Sequence, residues 1–244
     1  MFAMLTQLVE ILDRFGSRLL AARRAGKDAE VAAAVLGCAT RLQDLCVRGG
    51  RLLVLARELT DGAAEAGAVR EFGELVEQQT AAVADLRATL DACQPLLATL
   101  DATVHLELVP FLDQKSGLLT RWSQQAALSR YSTTTLFFLP APALDGVIAA
   151  ARPHATGQGL AVDRSEYLLA VTDAVRAVRS REVRDLRAGL TAADRAAVRA
   201  EIAAARAELT RAEGHCERVL TAVRDTVGPE AMARLRRSLV PRSR

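Results

Sequence analysis

At 244 residues the chain is long enough to bury a sizeable core without disulfide or metal staples. Half of it is hydrophobic and only 4% aromatic, and the apolar content is mostly Ala, Leu and Val, a mixture that suits close-packed helices and argues against sandwiches and barrels. The net charge of +3 conceals an asymmetry, because residues 176–244 hold 16 of the 32 basic side chains and only 9 of the 29 acidic ones.

Among the basic residues only Lys27 and Lys115 are lysines. That skew is what a GC-rich bacterial genome produces, so the number of arginines carries no argument for phosphate recognition.

The first run, MFAMLTQLVEILDRFG, has no basic leader and carries Glu10 and Asp13 within its apolar stretch. It therefore reads as an amphipathic helix rather than a signal peptide, and a cytoplasmic location is the expectation. Leu5, Leu8, Leu12, Phe15, Leu19 and Ala22 recur at spacings of three and four, giving a helix over about 2–25 that Gly26 stops.

A second helix, about 28–59, carries Val31, Val35, Cys38, Leu42, Leu45, Leu52, Leu55 and Leu59 on one seam. The Gly49-Gly50 pair within it predicts a kink or a close helix crossing. With Thr60 and Asp61 read as the next cap, a third helix spans about 61–109. Its seam is Val69, Phe72, Val76, Gln79, Val83, Leu86, Leu90, Cys93, Leu97, Leu100, Val104 and Leu108, with Pro95 bending it and Pro110 ending it. Such a helix would have about 48 residues and extend about 70 Å at 1.5 Å per residue.

A shorter helix over about 116–131 places Leu119, Trp122 and Ala126 inward. The last expected helix covers about 163–227. It is opened by an Asp163/Glu166 capping box, touched by Gly189 and restarted by Thr191 and Asp194. Its seam runs Leu168, Val171, Val175, Val178, Leu186, then Val198, Ile202, Ala205, Leu209, Ala212, Cys216, Val219 and Val223, before Gly228-Pro229 stops it.

The heptad-like rhythm predicts an all-α fold: an elongated bundle of long, coiled-coil-like antiparallel helices forming one domain over 1–237. Residues 238–244 contain LVPR, which resembles a protease-site remnant, and carry no functional weight.

One stretch breaks the helical pattern. Residues 132–153 read STTTLFFLPAPALDGVIAAARP and form an apolar, Pro-interrupted connector near 132–160. Its apolar run is too short and too broken to cross about 30 Å of hydrocarbon. LFFL is expected to pair as a short strand, PAP to turn, and Ala143 to Ala151 to attempt a short helix. Leu136, Phe137, Phe138 and Leu139 would form an apolar patch if exposed, so they must find cover on the bundle, on a partner or on a membrane surface.

No motif for catalysis, cofactor or metal emerges. Asp101 and His105 are one turn apart but lack a second such pair, and no E-x-x-H of the di-iron type is present. His215 and Cys216 are helical neighbours pointing about 100° apart, which does not make a nucleophile–base pair. His154 lies in RPHATGQGLAVDR, a glycine-containing connector without the strand or the G-K-[ST] of a phosphate loop. Cys38, Cys46, Cys93 and Cys216 show no ligand spacing and read as buried thiols in a reducing compartment.

Arg176, Arg179, Arg184 and Arg187 fall on one expected helical arc. Asp173, Glu182 and Asp185 weaken its field, and no aromatics stand between the arginines for base stacking, so nucleic-acid binding is not expected.

The functional expectation is a non-catalytic protein that acts through protein contacts, as adaptor, regulator or self-associating scaffold. Leu136, Phe137, Phe138, Leu139 and the four arginines are its candidate contact residues, and no cofactor, metal or small-molecule substrate is expected. The alternative is a membrane-active protein resembling helical pore-forming toxins in layout, with residues 133–151 as an apolar tongue that meets the membrane surface.

Overall fold

A computed structural model describes residues 1–21, 28–65, 67–100, 102–113, 117–155, 169, 171–173, 175–177, 183–228 and 230. Its helices are α1 (Phe2–Ala21), α2 (Asp28–Asp61), α3 (Ala68–Leu100), α4 (Ala102–Leu112), α5 (Leu118–Leu128), α6 (Thr133–Leu136), α7 (Ala141–Ala155) and α8 (Ala192–Val227). Residues 169, 171–173 and 175–177 are helical as well. The fold is all-α. The only β feature among the described residues is a single antiparallel bridge between Ser132 and Asp185.

The packing follows the spacing. α8 lies along both α1 and α2, and α2 lies along α3. Every member of the α8 seam from Val198 to Val223 is buried, as are Val31, Val35, Cys38, Leu42, Leu45, Leu52 and Leu55 of α2. On α3 and α4, Phe72, Val76, Val83, Leu86, Leu90 and Leu108 are buried, whereas Val69 at the start of α3 is 40% exposed. Each fully buried Leu or Val contributes about 1.5–3 kcal/mol relative to exposure. These seams join one continuous core that also takes in Leu144 and Val147 of α7, Val171 and Leu186. Phe15, Leu19, Leu97, Leu100 and Val104 complete the predicted seams, but their side chains lie outside the described set, as do residues 163–168, Val178 and the tail 238–244.

α1 is amphipathic, with Gln7, Glu10, Asp13 and Arg14 on its less buried side, and its first turns are covered on more than one face. Met1 through Thr6, and Leu8, Val9, Ile11 and Leu12, are all buried, because α2, α4, α7 and α8 all pack against this helix. Thr6 is accommodated by sharing its hydroxyl hydrogen between the carbonyls of Phe2 (3.2 Å) and Glu208 (3.0 Å), the second a direct tie to α8.

Three predicted boundaries move. The helix expected over 61–109 is two helices, and the first begins at Ala68. Thr60 and Asp61 are the last turn of α2: the Thr60 hydroxyl donates back to the Ala56 carbonyl at 2.6 Å. Gly62, at φ +69°, then ends the helix, and the Ala63 N–H closes on the Glu58 carbonyl at 3.1 Å. A positive φ is costly for any side-chain-bearing residue, so Gly62 rather than the Thr60-Asp61 pair is the punctuation. Pro110 does not end α4, which continues to Leu112.

The helix expected over 163–227 is also interrupted. Residues 183–191 are not helical, and α8 starts afresh with Thr191 as N-cap in a full capping box with Asp194. In place of a helix, this segment runs beside the connector: the Thr133 N–H donates to the Arg184 carbonyl and the Leu186 N–H to the Tyr131 carbonyl, both at 3.0 Å.

Gly49 confirms the close crossing. A Cβ there would sit 3.0 Å from Phe2 of α1 and 3.3 Å from Leu209 of α8, whereas Gly50 faces open space. α2 passes through the pair without a break.

A candidate binding hollow at the apolar connector

Among the described residues of the connector there is no strand. Ser132 caps a single helical turn, α6, by accepting from the Thr135 N–H, and Pro140 precedes α7, whose first turn accommodates Pro142 because the N–H that proline lacks has no helical partner there. α7 extends to Ala155, so His154 lies in its last turn rather than in a loop.

Ser132 to Thr135 are all buried, and their hydroxyls are satisfied by one another, by α5 and its C-cap Ser129 and, for Thr133, by the Arg184 N–H, which donates to Oγ1 at 3.3 Å. Ser132 Oγ lies 2.8 Å from Thr134 Oγ1 and donates to the Ser129 carbonyl, also at 2.8 Å. Thr135 Oγ1 donates to the Ser129 carbonyl at 2.6 Å. From α5, the Gln125 amide donates to Thr134 Oγ1 (3.2 Å), and Trp122 Nε1 donates to the Thr135 carbonyl (3.0 Å). With every hydroxyl partnered, the desolvation cost of burying four polar residues is offset.

This network turns the following apolar residues inward. Leu136, Phe138 and Leu139 are 3%, 2% and 1% exposed, so these three candidate contact residues belong to the protein's own core. Phe137 remains half-buried. With Leu139, Pro140 and Pro142 it forms one wall of a mostly apolar hollow of about 300 Å³. Met1 to Ala3 and, from α8, Glu201, Ala204, Ala205 and Glu208 also line it. Glu208 is largely buried and pairs with Arg211.

The four arginines do not share an arc, because residues 183–190 are not helical. Arg176 is exposed and pairs with Asp173 at 3.0 Å. Arg179 lies outside the described residues. Arg184 clamps the 183–191 segment to the start of α8, its Nε 2.6 Å from Asp194 Oδ1. Arg187 pairs with Asp185 and lays its guanidinium 4.3 Å over the Tyr131 ring. The Thr191 hydroxyl and the Arg184 guanidinium hold the Asp194 carboxyl below the usual carboxylate range, and Arg187 does the same for Asp185. Arg184 and Arg187 thus act as internal fasteners.

His215 meets Asp13 of α1, with Nδ1 2.7 Å from Oδ2; Arg218 reaches the same oxygen at 2.9 Å and Nδ1 at 2.7 Å. Nδ1 either donates to Asp13 or accepts from Arg218, so that nitrogen is engaged in both tautomers. Cys216 points away into the core, consistent with neighbours separated by about 100°. Asp101 and the His105 side chain lie outside the described residues. Among the described residues no group of three or more His, Cys, Asp and Glu could hold a metal ion, and no helix is long and apolar enough to cross a membrane.

The hollow was not legible from sequence, because Ala204 and Ala205 read as ordinary seam filler. The only signal was the cluster of bulky residues at 136–139 facing small residues on another helix. No protein-family model, curated protein or solved structure matches the chain.

Proposed function

We propose that this chain is a non-catalytic helical-bundle protein that acts by contact with another protein. The observation that carries the reading is the mostly apolar hollow of about 300 Å³ lined by Phe137, Leu139, Pro140 and Pro142 together with residues of α8. A concave apolar site of this kind suits the anchor side chain of a partner, the feature on which protein interfaces concentrate their energy. Burial of Leu136, Phe138 and Leu139 moves the proposed contact from the apolar tetrad to the space it leaves beside Phe137.

A photoreactive phenylalanine analogue at Pro142, on the edge of the hollow, tests this in the native host. The reading predicts a crosslink to one distinct protein, lost on Ala204→Trp, which fills the hollow, and absent when the probe sits at the exposed Gln124 of α5. A crosslink only to a second copy of the chain would replace the partner by self-association. A crosslink indifferent to Ala204→Trp, or flotation of the protein with liposomes, would overturn the reading.

A further inference from the structure

α5 lies against α3, and the two helices border a groove of about 510 Å³ that shares no lining residue with the hollow beside Phe137. Small side chains leave this space: Ala84 and Ala88, one turn apart on α3, and Ala127 of α5 line it, together with the buried Val83 and Leu119. Arg87 lines it as well, and its guanidinium is incompletely satisfied. Nη1 donates to Thr120 Oγ1 of α5 at 2.8 Å, which orients the group. Nε is buried without a hydrogen-bond partner. Asp91, one turn on, stops short of it: Oδ2 is 3.7 Å from Nε, beyond hydrogen-bond distance, and the Asp91 side chain is 43% exposed. A buried donor left unpaired is costly and uncommon in a native fold. Among the described residues one other buried side-chain polar atom lacks a partner, Gln79 Oε1, but Gln79 lies in the core at 0% exposed, whereas Arg87 faces an open groove.

We propose that the α3–α5 groove binds a small monocarboxylate with an apolar body, its carboxylate on the Nε/Nη2 edge of Arg87 and its body against the alanines. That edge of a guanidinium presents two parallel N–H donors at the spacing of carboxylate oxygens. With Nη1 committed to Thr120, it is the edge left to a ligand. Asp91 holds the approach only loosely, because an exposed i,i+4 ion pair is weak. Rotation of Asp91 into water admits the ligand, which gives Nε the partner it lacks. The Asp91 charge also sets the class of anion: a carboxylate beside the site repels a dianion such as phosphate more than a singly charged ligand. The groove falls within the range of about 300–1,000 Å³ usual for small-molecule sites, with the apolar lining and the few orienting polar groups that such sites have. The ligand is held rather than transformed, since the Ser123 hydroxyl on the groove donates to the Leu119 carbonyl at 3.0 Å and not to a base. This site does not rest on the protein-contact reading.

The test titrates the nitrogen-15-labelled full chain with hexanoate, hexanamide and inorganic phosphate, and follows the Arg87 Nε–H signal and the backbone amides of residues 83–91 and 119–127 by nuclear magnetic resonance. Hexanoate should shift the Nε–H and the groove amides saturably, and hexanamide and phosphate should leave the Nε–H in place. Arg87→Lys keeps the charge but loses the paired donors, and should weaken hexanoate binding at least about tenfold. Asp91→Asn removes the competing carboxylate and should tighten it. The absence of a saturable shift, equal shifts from hexanamide, a stronger Nε–H response to phosphate, or an affinity unchanged in Arg87→Lys would overturn the proposal. Should Arg87→Lys fail to fold, Asp91→Asn decides: hexanoate binding that weakens or stays the same in that variant contradicts a carboxylate seated on Arg87.

Discussion

The seam of α1, α2 and α8 and the connector from Ser132 to Pro142 are both buried, but by opposite means. The seam is mostly aliphatic: Leu42, Leu45, Leu52, Ile202 and Leu209 interlock, with only isolated polar ties beside them, from Thr6 to the Glu208 carbonyl and from Gln79 to the Leu45 carbonyl. The connector buries a serine and three threonines and is fixed by named hydrogen bonds to Trp122, Gln125 and Ser129. Aliphatic packing depends on volume and tolerates exchange of shape, whereas a buried polar network depends on each partner. The connector also borders the hollow that it shares with α1 and α8.

Substitutions can break this contrast in graded steps. The largest loss is expected for Trp122→Ala, about 3–5 kcal/mol, since it opens a cavity at a 1% exposed position and strips the Thr135 carbonyl of its donor. Denaturant unfolding monitored by circular dichroism measures it. Leu42→Ala, in the seam, should cost about 2–5 kcal/mol by cavity formation, yet Leu42→Met less than about 1.5.

Thr135→Val, of nearly the same shape, should cost about 1–3 kcal/mol because it abandons the Ser129 and Ser132 partners in a buried site. If Thr135→Val proved no worse than Leu42→Met, the distinction between the two regions would collapse. Within the seam, Gly50→Ala should stabilise by about 0.5–1 kcal/mol through helix propensity. Gly49→Ala should fail to show that gain, because Phe2 and Leu209 must move aside.

The smallest effect is pH-dependent. Because the folded Asp194 carboxyl is held below its usual value by Thr191 and Arg184, the capping box contributes stability above the unfolded pKa of about 3.9 and loses it as pH falls through the lower folded value. The difference in melting temperature between the unsubstituted chain and Asp194→Ala should therefore be present at neutral pH and shrink toward zero in acid.

Much of the architecture was legible because helical seams repeat. The run from Val198 to Val223 names α8 and its buried face outright, and the Thr191/Asp194 cap was readable from side-chain chemistry alone. The legibility failed where one residue had to serve two readings. Thr60 and Asp61 look like a cap whether they begin a helix or end one, and only the positive φ of Gly62 decides. Arg184 and Arg187 match a helical arc by spacing, but backbone pairing with Tyr131 and Thr133, over 50 residues away, holds them in a non-helical segment. LFFL has the composition of a strand, and the Ser132 cap makes the residues before it a helical turn. The hollow arises between elements distant in sequence, so no local pattern announces it.

Hydrogen exchange across residues 131–140 and 183–190 tests most directly whether the apolar connector is folded into its own bundle. The structure predicts that the amides of Thr133 and Leu186, which bridge the two segments, and of Leu136 and Phe137 in the turn, are protected to a degree comparable with mid-α2. Exchange of these amides at the rate of an unstructured peptide, with α2 still protected, would contradict it and would return Leu136, Phe138 and Leu139 to the surface.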